Sequence, residues 1–176
     1  MTGPALFLLV CSLLVVTGAV VAVVLRLRTR DRRWEQWQQV AAARGLRAQP
    51  GDPLGLGPLL SAPGRRLTVE RTVSGTLGGV PVALVSAVGG AGGPHTRHAR
   101  SDVLGLARVA PPVRLDAVQV ALASSPDVSA RAVGDLVVLE PVRGLRMAVD
   151  LPPAGVAARL LDVAVVAGRA AGSPPR

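Results

Sequence analysis

The side chains best suited to metal chemistry are His95 and His98, three apart, with Asp102 four residues further on. Two imidazoles and a carboxylate are a usable ligand set for a divalent transition metal. Their setting argues against it. They lie in or beside the glycine-rich stretch 89–96, where nothing in the spacing holds two ligands in a fixed geometry. The expectation is therefore no metal and no cofactor, with His95, His98 and Asp102 as the weak candidates. The single Cys11 sits in an apolar run and permits neither an intrachain disulfide nor a Cys-based zinc site.

Other catalytic patterns are missing. Gly89-Gly90 and Gly92-Gly93 are followed by Pro94, without the Gly-Lys-Ser/Thr run that cradles phosphates. Gly55 and Gly57 fall in a proline-rich stretch, and there is no Gly-x-Ser-x-Gly elbow. The carboxylates Glu70, Asp102, Asp116, Asp135, Glu140, Asp150 and Asp162 are scattered, so any acid–base pair must be assembled by the fold. Glu70 and Arg71 are adjacent on an expected strand and should point to opposite faces. No catalytic residue is assigned, and the chain reads as leaning away from an enzyme.

The elements that carry these residues begin with an anchor. Residues 4–25 form an apolar run with no charged side chain, roughly 31 Å long as a helix between residues 5 and 25. That is enough to cross a bilayer core. A cleaved signal peptide fits poorly, because no basic side chain precedes the run and the run is too long. Arg26, Arg28, Arg30, Arg32 and Arg33 follow, relieved only by Asp31. This one-sided collar predicts the N-terminus outside and the rest of the chain in the cytoplasm. It also suits anionic lipid headgroups, at about 1 kcal/mol per arginine near the surface. Gly18 and Ala22 form a small-xxx-small pair that would allow a homodimer, though such pairs are common in Ala/Gly-rich spans.

The net charge of +9 invites a nucleic-acid reading. Yet all 20 basic residues are Arg, and Lys, Ile, Asn and Tyr are absent, which points to a GC-rich genome as the cause. Five of these arginines form the collar, and no aromatic follows Trp37 to stack on bases. The sequence therefore implies no nucleic-acid partner.

Residues 26–45 combine the collar with a juxtamembrane helix, expected over 31–44. Trp34, Trp37, Val40 and Ala41 share one of its faces, and Gly45 supplies the stop. Nothing between Leu25 and Trp34 breaks a helix, which allows it to be continuous with the span. The two Trp residues either sit among headgroups or close the core of the soluble domain. The second position is favoured, because the domain otherwise lacks large side chains.

Residues 46–65 read as a Pro/Gly-rich linker or loop with one short turn at Leu59 and Leu60. Residues 66–170 read as a small α+β domain. Period-two alternation at Leu67, Val69, Arg71 and Val73 gives one strand, and Val80, Val82, Leu84 and Val88 give another. Gly78-Gly79 joins them as a two-residue hairpin, and Pro81 places the second strand's start at an edge or just outside the ladder. A third strand is expected over 101–109, and residues 113–123 suit either a strand or a short helix. A second hairpin is expected between 135–140 and 145–150. A C-terminal helix carries Val156, Leu160, Leu161, Ala164 and Val165, and residues 171–176 form a disordered tail. The sum is a mostly antiparallel sheet of about five strands with helix packed on it.

This layout resembles a group of single-pass membrane proteins of high-GC bacteria. The matching residues are Trp34, Trp37, Arg44-Gly45-Leu46, the hairpin run from Thr72 to Val82, and His95 to His98. The resemblance implies a membrane helix, a Trp-containing juxtamembrane helix and a small α+β domain. It brings no activity with it.

Two functions follow as expectations. One is a membrane-tethered, non-enzymatic cytoplasmic domain that binds a protein partner or organises an assembly. The other is a membrane-anchored enzyme or ligand-binding domain built from dispersed Asp, Glu and Arg. The reading of His95 and His98 as solvated loop residues has a direct check. Changing both to Ala should leave stability in urea melts within about 0.5 kcal/mol; a clearly larger loss accompanied by released metal would restore the metal site.

Overall fold

A computed structural model describes residues 3–61, 65–91, 100–141 and 151–172. It is α+β: a long N-terminal helix, a six-stranded antiparallel sheet and a C-terminal helix.

Helix α1 runs unbroken from Gly3 to Ala43, 41 residues, about 61 Å. Its first part includes a stretch long and apolar enough to cross a membrane. Large side chains are exposed all round it, as at Leu14, Val15, Val16 and Val20, with Val15 at 71%. A helix apolar on every side has no polar face to give to water. The last part is different. Trp37 and Ala41 are buried, while Gln36 and Gln39 are exposed. The helix ends as expected at Gly45, whose φ of 69° lets the Gly45 and Leu46 amides bond back to Ala42 and Ala41.

The stretch expected as a linker contributes to the fold. Strand β1 (Arg47–Pro50) pairs with β2 (Arg65–Leu77), and helix α2 (Leu56–Leu60) buries Leu56 and Leu60. Asp52 accounts for much of this: its carboxylate accepts from the Leu56 and Gly57 amides, 2.7 Å each, and so starts the helix. Gly51, Pro53 and Gly55 lie in the connection between β1 and α2, while Pro50 ends β1 and Gly57 and Pro58 are inside α2. The turn foreseen at Leu59 and Leu60 is the end of α2.

β2 and β3 (Val80–Ala91) form the foreseen hairpin, with positive φ at Gly78 and Gly79. β3 pairs on its other side with β4 (Arg100–Arg108), starting at Val82, so Pro81 precedes that ladder. Residues 113–123 resolve to helix α3 (Leu115–Ala121). It carries the chain to the far edge, where β5 (Val128–Val133) and β6 (Leu136–Pro141) form a hairpin. The sheet order is β1-β2-β3-β4-β6-β5. This corrects the second expected hairpin: Leu136–Leu139 already pair with β5 on one side and β4 on the other, leaving no free edge there. Its other proposed arm, 145–150, lies outside the described residues.

Helix α4 (Ala154–Gly172) packs on one sheet face with α3 and the end of α1. This face holds the larger core: Trp37, Val73, Val80, Leu84, Val137, Leu160, Leu161 and their neighbours. The approach is close because small residues meet there. A Cβ on Gly168 would lie 2.4 Å from a Val80 methyl carbon and 3.0 Å from the Ala107 methyl. The opposite face forms a second core, with Leu56 and Leu60 of α2 against Leu67, Val69, Val85, Leu106 and Val138. A bulge at Glu70 explains why Leu67 and Val69 lie in one core and Val73 in the other. One extra residue flips every later side chain to the opposite face.

Trp37 is 1% exposed, and its Nε1–H donates to the Pro152 carbonyl at 3.1 Å. The core position considered for it is the observed one, with Trp34 partly buried against the same cluster. Trp37→Ala should cost about 3–5 kcal/mol in denaturant unfolding, and Trp34→Ala less. A loss below about 1 kcal/mol at Trp37 would show that the ring does not close the core.

Candidate functional site

The side chains of the collar divide between two tasks. Arg30 ion-pairs with Glu70, and Arg33 donates to the Leu151 carbonyl at 2.6 Å. These two are partly buried and engaged with the folded domain. Arg28 and Arg32 are exposed. Arg26 lies on α1, and its side chain is outside the described residues. Gly18 and Ala22 are on the exposed apolar part of α1, where a Cβ on Gly18 would meet nothing within 4 Å.

The bulge brings both Glu70 and Arg71 to α1, although alternation had sent them to opposite faces. Arg71 lies 5.0 Å from the Trp34 ring centroid, bonds the Arg30 carbonyl at 3.3 Å and approaches Asp31 at 3.7 Å. Burial, then the neighbouring Arg30 charge, pulls the Arg71 guanidinium below its ordinary pKa. Arg44 completes this junction with a two-pronged contact to Asp162 of α4, 2.6 and 3.2 Å. The junction holds α1 to β2 and α4. Its groups form ion pairs and hydrogen bonds between elements.

The domain has two ends. The near end is the one from which the apolar part of α1 projects. β2 runs in the same sense as α1, since Glu70 sits by Arg30 and Gly75 by Leu46. The Gly78-Gly79 turn, the Arg108 end of β4 and the C-terminus of α4 therefore lie at the far end. There Arg169 donates to the Gly78 carbonyl at 3.1 Å.

Two hollows open at this far end. One, about 260 Å³, is a largely apolar recess lined by Leu54, Leu56, Val82, Ala83, Leu106 and Leu136, among others. The second, about 540 Å³, is broader, and Val80, Val109, Pro111 and Gly168 are among the residues that line it. Pro81 and Arg108 belong to both. Arg108 Nε pairs with Asp135 at 2.9 Å, and both side chains are about half exposed. The arrangement is an apolar depression with one guanidinium at its rim. It suits recognition of an apolar side chain beside a carboxylate or carbonyl. It has no nucleophile–base pair.

Among the described residues, no three His, Cys, Asp or Glu side chains gather. His95 and His98 lie outside the described residues. Asp102 is on β4 opposite Ala87, with its side chain outside the description. Asp116 opens α3, where the Ala117 amide and then Arg114 hold its carboxyl below the usual range. Neither Arg108 nor Asp135 stood out in the sequence as a pair, because they are far apart in the chain and meet through the β4–β6 ladder. Comparison with protein-family models, curated proteins and solved structures finds no match for this chain.

An open recess differs from a packed core in what it tolerates. Overpacking a filled core typically costs about 1–3 kcal/mol. Ala83→Leu, projecting toward the recess, should instead change the melting free energy by less than about 1 kcal/mol. A larger loss would mean the space is closed in solution.

Proposed function

We propose that this chain is a membrane-tethered, non-enzymatic cytoplasmic domain that presents a protein-binding face at its far end. The observation that carries this reading is the joining of an exposed apolar helix, long enough to span a bilayer, to a domain whose open apolar recess lies at the opposite end. The one-sided arginine collar supports an N-terminus outside and the domain inside. Exposed Arg28 and Arg32 then lie at the headgroup level and attract anionic lipid. The layout shared with single-pass membrane proteins of high-GC bacteria agrees with this and adds no activity.

Partner binding is favoured over catalysis because the recess is largely apolar and Arg108 at its rim is paired with Asp135 of the neighbouring hollow. The volume of about 260 Å³ keeps a ligand-binding reading alive, in which a small apolar molecule with an acidic end takes the recess. Native mass spectrometry of the purified chain separates these, since a retained small molecule belongs only to the second.

A photo-crosslinking residue at Thr76, beside the recess, should capture a defined protein in the native cell. Arg108→Glu should abolish that adduct, and a crosslinker at Gln39 should not form it. A C-terminal tag should resist protease in intact cells. Tag digestion from outside overturns the orientation, and equal capture from Thr76 and Gln39 overturns the binding face.

A further inference from the structure

The near end of the sheet carries arginines that the collar does not include. The β2–β3 and β3–β4 registers place Arg65 opposite Ala91, Arg66 opposite Gly90, and Arg100 opposite Gly89. Three arginine positions on two strands thus fall at one end of the sheet, separated only by the end of β3. Arg66 is exposed. The acidic position on these strands nearest that end is Asp102, two residues along β4 from Arg100; Glu70 is committed to Arg30.

The height of this end follows from the junction. Arg30 is five residues beyond Leu25, about 7.5 Å along the helix. Its ion pair with Glu70 sets that residue at the same level. β2 runs in the sense of α1, so Arg66, four residues before Glu70, lies up to about 13 Å back toward the apolar part of α1. A crossing angle between strand and helix shortens this distance. The polar layer of a leaflet is roughly 5–8 Å deep. The sheet end therefore lies on the bilayer side of Arg30, by at most about 13 Å, which brings it within reach of the headgroup layer.

We propose that this end of the sheet, where Arg66 is exposed and the registers also place positions 65 and 100, docks on the anionic headgroups of the bilayer that α1 spans. The occupant is the lipid surface because the apolar helix leaves the domain beside these arginines and fixes their height. Arginine guanidinium groups also suit bidentate contact with lipid phosphate. The docking rests on the membrane-anchor reading and extends it: the domain is held against the membrane at two places, and its far end is aimed away from it.

The test uses the full chain in nanodiscs, with Cys11→Ser and a single fluorophore attached at Thr68→Cys on β2 or at Thr76→Cys at the far end. Lipids with paramagnetic headgroups act as the quencher. In discs containing phosphatidylglycerol, the Thr68 label should be quenched at least twofold more than the Thr76 label. In pure phosphatidylcholine discs that ratio should fall by at least a third, staying above one because α1 alone keeps β2 nearer the bilayer. It should fall likewise for Arg66→Glu with Arg100→Glu. A second measurement keeps the arginines unmodified and does not depend on how the variants fold: salt at about 1 M, where the Debye length is about 3 Å, should reduce the ratio. Equal quenching at both sites, or quenching indifferent to lipid charge and salt, overturns the docking. Failure of the anchor itself is read separately, as release of the chain by alkaline carbonate, and it overturns the docking with it.

Discussion

The burial of Trp37 is the constraint on which the rest of the structure depends. It is the largest fully buried side chain in a chain with 2% aromatic residues. At roughly 25 cal/mol per Å² and about 200 Å² of ring surface, its burial contributes on the order of 5 kcal/mol. Each half-exposed arginine pair around it contributes about 0–1 kcal/mol. The apolar term thus holds α1 to the domain, and the charged contacts choose its orientation. The bond from Nε1 to the Pro152 carbonyl fixes the rotation of α1 about its own axis relative to α4. Since α1 is unbroken from Gly3 to Ala43, that rotation extends along the whole apolar part.

The remaining core is built by close approach where bulky side chains are lacking. Ala164, Ala167 and Gly168 of α4 sit on Ala107 and Val80, and Gly105 would bring a Cβ to 3.3 Å from the Leu160 carbonyl. Dispersion depends steeply on distance, so shortening the helix–sheet separation compensates for small side chains. This also explains the placing of the one large ring. A Trp is tolerated where α1 approaches the start of α4, beyond the close-packed Gly and Ala positions.

Several parts of this arrangement were legible in the sequence for local reasons. The apolar run, the Trp face, the Gly45 stop and the Gly78-Gly79 hairpin each follow from neighbouring residues. What was not legible depended on distant ones. Leu67 and Val73 keep one period on paper, yet the bulge at Glu70 sends them to different cores, and only pairing with β3 reveals it. β5 was missed because Ser129, Ala130 and Ala132 have little strand preference of their own; its pairing with β6 makes it a strand. Glycine and proline in residues 46–65 suggested a linker, but Asp52 capping and burial of Leu56 and Leu60 outweighed them. The Arg108–Asp135 rim likewise exists only once β4 and β6 are side by side.

The abundance of arginine takes on a different meaning once the fold is known. Guanidinium groups are spent first on seams between elements: Arg30 and Arg71 on the α1–β2 seam, Arg44 on the α1–α4 seam, Arg131 on the β5–β6 pair, and Arg159 on Asp127. A planar fork reaches two acceptors at once, as Arg44 does at Asp162, which a lysine ammonium cannot match in geometry. Other exposed arginines lie toward both ends among the described residues: Arg28, Arg32 and Arg66 toward the near end, and Arg47, opposite Ser74, toward the far one. The far end has an apolar recess and a neutralised Arg–Asp rim. The two ends therefore differ chiefly in the apolar recess, which lies at the end opposite the apolar part of an unbroken α1.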